Sequence, residues 1–164
     1  MSRSKTFALF VPIVIAMVIL DRLAKGWAVD HLRQGVTGPE FGLVDLTLVH
    51  NKGAAFGMGQ GAGIVFVALA VVICVAVVVW LVVGKRHGAL EVVSLALVVA
   101  GGIGNCIDRL TTGYVVDFIR LTFIDFPVFN VADICVTCGV VLFLIALIRI
   151  EFTSGAHAET GEGR

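Results

Sequence analysis

Charge is what this chain is short of. Only 15% of its 164 residues are Asp, Glu, Lys or Arg, against about 25% in an ordinary soluble domain. The acids and bases also cancel, 12 against 12, so there is no basic stripe with which to hold a nucleic acid. Metal-ligand patterns are missing too: His31, His50, His87 and His157 are scattered and no H-E-x-x-H occurs, which argues against a zinc hydrolase. No G-x-S-x-G surrounds any serine, and Ser94 lies inside an apolar run without an adjacent base, so a serine-nucleophile hydrolase has no support. Cys74, Cys106, Cys135 and Cys138 all fall in apolar runs. Cys135 and Cys138 form a C-x-x-C with no second ligand pair and no thioredoxin-like context, so the four read as packing residues. Glycine-rich stretches lack the βαβ setting of a dinucleotide fingerprint.

What fills the chain instead is hydrocarbon. A mean hydropathy of +1.03 with 59% apolar residues places it among integral membrane proteins. The first apolar run covers about Phe7 to Leu20 and is extended by Asp21-Arg22-Leu23-Ala24-Lys25. The others cover about Ile64 to Val83, Leu90 to Ile107 with Glu91 near its start, and Val131 to Ile150. Each approaches the roughly 20 residues a spanning helix needs. Val and Ile dominate them, but backbone inside lipid must satisfy its own hydrogen bonds, so these runs form helices. The expected fold is an all-α membrane protein of four transmembrane helices, about 7–25, 64–83, 90–107 and 131–150, forming a single domain over 1–151. Residues 152–164, rich in Gly, Thr, Glu and Ala, read as a disordered cytoplasmic tail. The first run lacks a small-residue cleavage site and reads as a retained helix, not a cleaved leader.

Orientation follows from the basic residues. Arg3 and Lys5 precede the first helix, Lys85 and Arg86 separate the second from the third, and Arg149 ends the fourth. The positive-inside rule then puts both termini in the cytoplasm. The longer connections, Gly26 to Gly63 and Asp108 to Asn130, face the extracytoplasmic, periplasmic side. In the first of these, residues 41–50 carry enough β-formers for a short strand or two on the membrane surface.

Polar residues gather at that outer edge. Asp21 and Lys25 lie four apart and can pair on one helix face; Asn105, Asp108 and Arg109 lie three and four apart at the end of the third helix. Both Asp21-Lys25 and Asp108-Arg109 read as ion pairs that orient helices. Gly101, Gly102 and Gly104 sit one turn earlier and permit close approach. Asp117, in Tyr114-Val115-Val116-Asp117-Phe118, and Asp133, in Phe129-Asn130-Val131-Ala132-Asp133, stand at the edges of apolar segments. Each could cap a helix N-terminus. Two acids near hydrocarbon also suggest a shared proton, because such groups are functional candidates by default.

Five segments in order carry a family resemblance. Asp21 with Lys25, Asn51-Lys52-Gly53-Ala54-Ala55-Phe56-Gly57, Gly101 to Arg109, Val116-Asp117-Phe118, and Phe129 to Asp133 resemble bacterial lipoprotein signal peptidase, signal peptidase II, over nearly the whole chain. The resemblance implies an aspartic endopeptidase of the bacterial inner membrane, with its site near the outer leaflet. It would remove the signal peptide from diacylglyceryl-modified prolipoproteins at the lipobox cysteine. It implies Asp117 and Asp133 as the catalytic dyad, with Asn51, Gly53, Asn105, Asp108, Arg109 and Asn130 as substrate-binding or supporting residues. No metal or other cofactor is implied, and the partners are the prolipoprotein and membrane lipid, with the enzyme a monomer. The alternative readings are a proton-coupled small transporter or channel, whose acids would line a path across the bilayer, and a structural assembly factor, which would leave Asp117 without a role.

Overall fold

The computed structural model describes residues 1–53, 59, 61–84 and 86–159, with side chains described through 149. Ala54, Ala55, Phe56 and Gly57 of the glycine-rich segment, the basic residue Lys85 and the last residues 160–164 lie outside the described set. Four helices are long and apolar enough to cross a membrane: α1 (Arg3–His31), α2 (Gly63–Val83), α3 (Ala89–Thr111) and α4 (Val131–Glu159). Between them lie three strands, β1 (Thr37–Glu40), β2 (Val44–Asn51) and β3 (Val115–Leu121), in one antiparallel sheet of order β1-β2-β3.

α3 is the centre of the bundle and packs against α1, α2 and α4. Its buried face includes Val92, Leu95, Ala96 and Val99, which meet Phe10 of α1 and Val77 and Leu81 of α2 in one apolar cluster. The outward faces of α2 and α4 are exposed Val, Ile and Leu, among them Ile64, Val72, Val83, Val141 and Ile148. In water such a surface would be an aggregation site, and in a bilayer it is the lipid-facing surface. α4 reaches α3 closely because Gly101 has no side chain: a Cβ there would lie 2.2 Å from the Ala132 carbonyl oxygen. That contact brings the start of α4, with Asp133, against the middle of α3.

α1 runs six residues past Lys25, where the sequence pattern places its end. The reason is tertiary. Ala28, with Leu32 just beyond the helix, packs against Leu48, Val116 and Phe118 of the sheet, so the last turns of α1 serve as a pillar under the strands. The sheet itself is larger than the strand or two expected, because 115–121 joins it as β3. In register, Val49 lies opposite Asp117 and Asn51 opposite Val115, so Asn51 and Asp117 are same-face diagonal neighbours within reach of each other. α4 continues as helix through residues 152–159, where the composition suggests a disordered tail.

Candidate active site

Asp117 and Asp133 arrive from different kinds of structure. Asp133 is three residues beyond Asn130, which stands immediately before α4. The Asp133 amide donates to Asn130 Oδ1 at 3.0 Å, and the Asn130 amide donates to Asp133 Oδ2 at 3.1 Å. This reciprocal pair is a capping box, with Asp133 in the first turn, where free N–H groups and the helix dipole favour negative charge. Capping is therefore real for Asp133. Asp117 caps nothing: it lies mid-strand in β3, 2% exposed.

Two asparagines join the acids. Asn130 Nδ2 donates to Asp117 Oδ1 at 2.6 Å, and Asn105 Nδ2 donates to Asp133 Oδ1 at 2.8 Å. Asn130 Nδ2 also reaches Asn105 Oδ1 at 3.2 Å. From β2, Asn51 Nδ2 donates to Asp117 Oδ2 at 2.9 Å, and its Oδ1 accepts the Gly53 amide at 2.9 Å. Each of the four carboxyl oxygens thus accepts one amide hydrogen, which fixes the carboxyl planes and leaves a second lone pair on every oxygen. Burial, aided by the nearby Asp133 carboxylate, raises the Asp117 carboxyl to about 7 against the lowering pull of the Asn51 and Asn130 bonds.

Behind this layer lies a charged one. Lys25, wholly buried, pairs with Asp21 Oδ2 at 2.9 Å and Asp108 Oδ2 at 2.9 Å, and donates to Asn105 Oδ1 at 2.9 Å. The Asp21–Lys25 pair is as the helical spacing predicts, but it is not separate from the acids, since Lys25 holds the asparagine that holds Asp133. Asp21 Oδ1 accepts the Ala132 amide at 3.0 Å. Gly104 makes room for it: a Cβ there would stand 2.6 Å from Asp21 Oδ2.

The expected Asp108–Arg109 pair does not form. Adjacent residues on a helix point about 100° apart and cannot share a face. Asp108 turns inward, where Arg22 and Lys25 meet it and the Val116 amide donates to its Oδ2 at 3.2 Å. Arg109 turns toward the 51–53 turn, donating to the Gly53 carbonyl at 3.0 Å, with its guanidinium 5.1 Å from the Phe66 ring centroid. Arg22, Phe66 and the backbone amides of Val116 and Ala132 are the members of the cluster that sequence reading missed. Only Arg22 left a signal, its three-residue spacing from Lys25 on α1.

All ten residues singled out from the sequence therefore converge at the sheet end of the bundle. Among the described residues, no three His, Cys, Asp or Glu side chains are grouped to hold a metal ion. The four cysteines are free; Cys135 is buried, Cys74 and Cys106 half-buried, and Cys138 exposed on α4. A cavity of about 580 Å³ beside the β1–β2 turn, lined by Asp45, Arg120 and Phe123 among others, contains neither acid. Nor do the acids form a file through the bilayer, which is what proton relay would need.

The family described as Signal peptidase (SPase) II matches residues 13–149, a span that holds every residue of the cluster. The chain belongs to the signal peptidase II family. Among its relatives, the protein named Lipoprotein signal peptidase of Streptococcus pyogenes serotype M1 is 42% identical over 144 residues, 87% of this chain and 95% of that one. That of serotype M6 is 41% identical over the same shares. Two solved structures, each described as a bacterial membrane enzyme determined by the in meso method, also superpose. The one at 2.3 Å resolution gives a TM-score of 0.80 at 33% identity, covering 85% of this chain and 87% of the other. The one at 1.9 Å gives 0.76 at 34% identity, covering 84% and 90%. The fold of these bacterial membrane enzymes and the buried polar cluster thus occur in one chain of the signal peptidase II family.

Proposed function

We propose that this member of the signal peptidase II family is an aspartic endopeptidase that removes signal peptides from diacylglyceryl-modified prolipoproteins, with Asp117 and Asp133 as its catalytic pair. The observation that carries this reading is the double asparagine bridge, which holds two carboxyls from different elements in one buried site. Two acids so placed share one proton, because a second negative charge there lacks solvation. Asp133 is the ionised member: the α4 N-terminus and two amide donors stabilise its charge. Asp117, more deeply buried and with its carboxyl raised to about 7, holds the proton at neutral pH.

In the reaction Asp133 takes a proton from a water molecule as its oxygen attacks the scissile carbonyl. Asp117 donates a hydrogen bond to that carbonyl oxygen as charge develops on it. Collapse of the tetrahedral intermediate returns a proton to the departing amine. Asn51, Asn105 and Asn130 do no proton transfer; they fix both carboxyls and so set the attack geometry in advance. Arg109 tethers the Gly53 turn and supplies donors for a substrate backbone.

The proposed setting is the bacterial inner membrane, with both termini cytoplasmic and the sheet end at the outer leaflet. A diacylglyceryl anchor would there bring the cleavage site to the depth of the acids. Every group named lies in one chain, which suits a monomer. Reporter fusions after Arg86 and Arg149 should read as cytoplasmic, and fusions near Gln34 and Thr122 as outer; an outer reading at Arg86 would invert the site. The direct test of function is purified protein in detergent with a synthetic diacylglyceryl lipobox peptide. Cleavage before the modified cysteine is the expected result, and ion flux in vesicles without cleavage would contradict it.

A further inference from the structure

Among the described residues, Arg22 is the one cation touching the cluster that neither the helical pairing of Asp21 with Lys25 nor the proposed chemistry uses. We infer that Arg22 is a positioning residue for the aspartate pair: by neutralising Asp108 it leaves Lys25 free to hold Asn105, and it keeps net negative charge from building up behind Asp117 and Asp133. This rests on the reading of those two acids as the catalytic pair.

The geometry begins at Asp108, whose side chain is 1% exposed. Its Oδ1 is met by Arg22 Nη1, and its Oδ2 by Lys25 Nζ at 2.9 Å and the Val116 amide at 3.2 Å. Val116 immediately precedes Asp117, so Asp108 fixes the entry of the catalytic strand. The Lys25 ammonium has three protons and three acceptors, namely Asp21, Asp108 and Asn105, so it has none to spare. With Arg22 present, the buried layer has two carboxylates and two cations. Without it, one carboxylate is uncompensated, Asp108 Oδ1 loses its donor, and Lys25 is drawn from Asn105 toward Asp108. Asn105 Nδ2 is the group bonded to Asp133 Oδ1.

The charges that act on Asp117 are those of Asp133 from α4 and Lys25 from α1; Lys25 is paired with Asp21 of α1 and Asp108 of α3, Arg109 of α3 is turned to the Gly53 carbonyl, and His50 of β2 lies on the other face of the sheet, stacked on Tyr114 at 4.1 Å between ring centroids. Of these elements' charges, the one at Arg22 can be changed with little loss of packing, because its side chain is 35% exposed. Extra negative charge favours protonated carboxyls, so the base would ionise only at higher pH.

The experiment is the pH dependence of kcat and KM on a diacylglyceryl lipobox peptide in proteoliposomes, for the parent, R22K, R22Q and the double variant R22Q/D108N. R22Q should lower kcat several-fold on the acidic limb, leave KM within about twofold, and move that limb up by about half to one pH unit. R22K should keep the parental limb. R22Q/D108N, which restores neutrality by removing the opposing charge, should return the limb to the parental position, an outcome that loss of packing alone would not give. An unshifted limb in R22Q, or a double variant shifted as far as R22Q, would overturn the inference. Should R22Q not fold, D108N decides: with Arg22 and Lys25 then facing Asp21 alone, the limb should move down by a similar amount, and an unshifted limb would overturn the inference. D117N separates the two levels. Near-parental turnover in folded D117N removes the catalytic reading and this inference with it, whereas an inactive D117N beside an unshifted R22Q removes the inference about Arg22 alone.

Discussion

The bundle carries an acid in the first turn of a helix at each of its ends, and the two have different work. Glu91 stands three residues after Gly88 at the start of α3, and Asp133 stands three residues after Asn130 at the start of α4. Both bond back to the amide three residues earlier, at 3.2 Å and 3.1 Å. Glu91 finishes its hydrogen bonding with neighbours that donate to it: the Trp80 indole at 2.7 Å and His87 Nδ1 at 2.8 Å. It clamps α2 to α3, and its partners there, Trp80, His87 and the Gly88 amide, are all donors. Asp133 instead meets an asparagine that belongs to a network ending on another acid. A capping position therefore does not decide whether an acid is structural. What decides is whether the rest of the fold delivers donors alone or a competing carboxylate as well.

The largest effect is expected at Lys25. Lys25→Met leaves Asp21 and Asp108 buried without their shared cation, a loss of about 3–5 kcal/mol, which is a large share of a typical folding stability. Thermal unfolding and size-exclusion recovery in detergent should show a mostly unfolded protein, and full recovery would mean the cluster is more hydrated than its burial indicates. The pH profile sharpens the same contrast. Because Asp117 must hold its proton and its carboxyl is raised to about 7, cleavage should fall about tenfold per unit as pH rises above that value. A rate that keeps rising to pH 9 would remove the proton-donor role.

Glu91→Gln probes the other end. It keeps one acceptor oxygen but loses the charge opposite His87, so it should cost about 1 kcal/mol, or several degrees in Tm, with kcat within about threefold. A hundredfold loss of kcat in folded protein would show that the two acids are not so different. The smallest effect is expected for the thiols. Replacing Cys74, Cys106, Cys135 and Cys138 together by Ala or Val should leave cleavage within about tenfold, the loss reflecting repacking of roughly 1 kcal/mol; complete inactivation would contradict their reading as packing residues.

Much of this is legible in the chain because the physics is local. Apolar runs near 20 residues mark the membrane helices, and the four-residue spacing of Asp21 and Lys25 marks their pair. β3 is not marked in that way. Asp117 and Arg120 interrupt its apolar residues, and it becomes a strand by pairing with β2, some 66 residues earlier for the Asn51–Asp117 contact. Asp108 misleads for a similar reason. Its sequence neighbour Arg109 is the obvious partner, while its actual ones, Arg22 and Lys25, lie on α1, Arg22 being 86 residues away. The end of α1 is also set at long range, by Ala28 and Leu32 packing on strands. Residue types thus reveal which groups are unusual, and tertiary contacts assign their partners.

Central to the account is that Asp117 and Asp133 act as one unit, and a double-mutant cycle on cleavage of the diacylglyceryl lipobox peptide tests this most directly. Asp117→Asn and Asp133→Asn should each lower kcat by several orders of magnitude in protein that still folds and binds the peptide, and the double variant should be about as inactive as either single one. Losses that add, or near-parental turnover in folded Asp117→Asn, would contradict it.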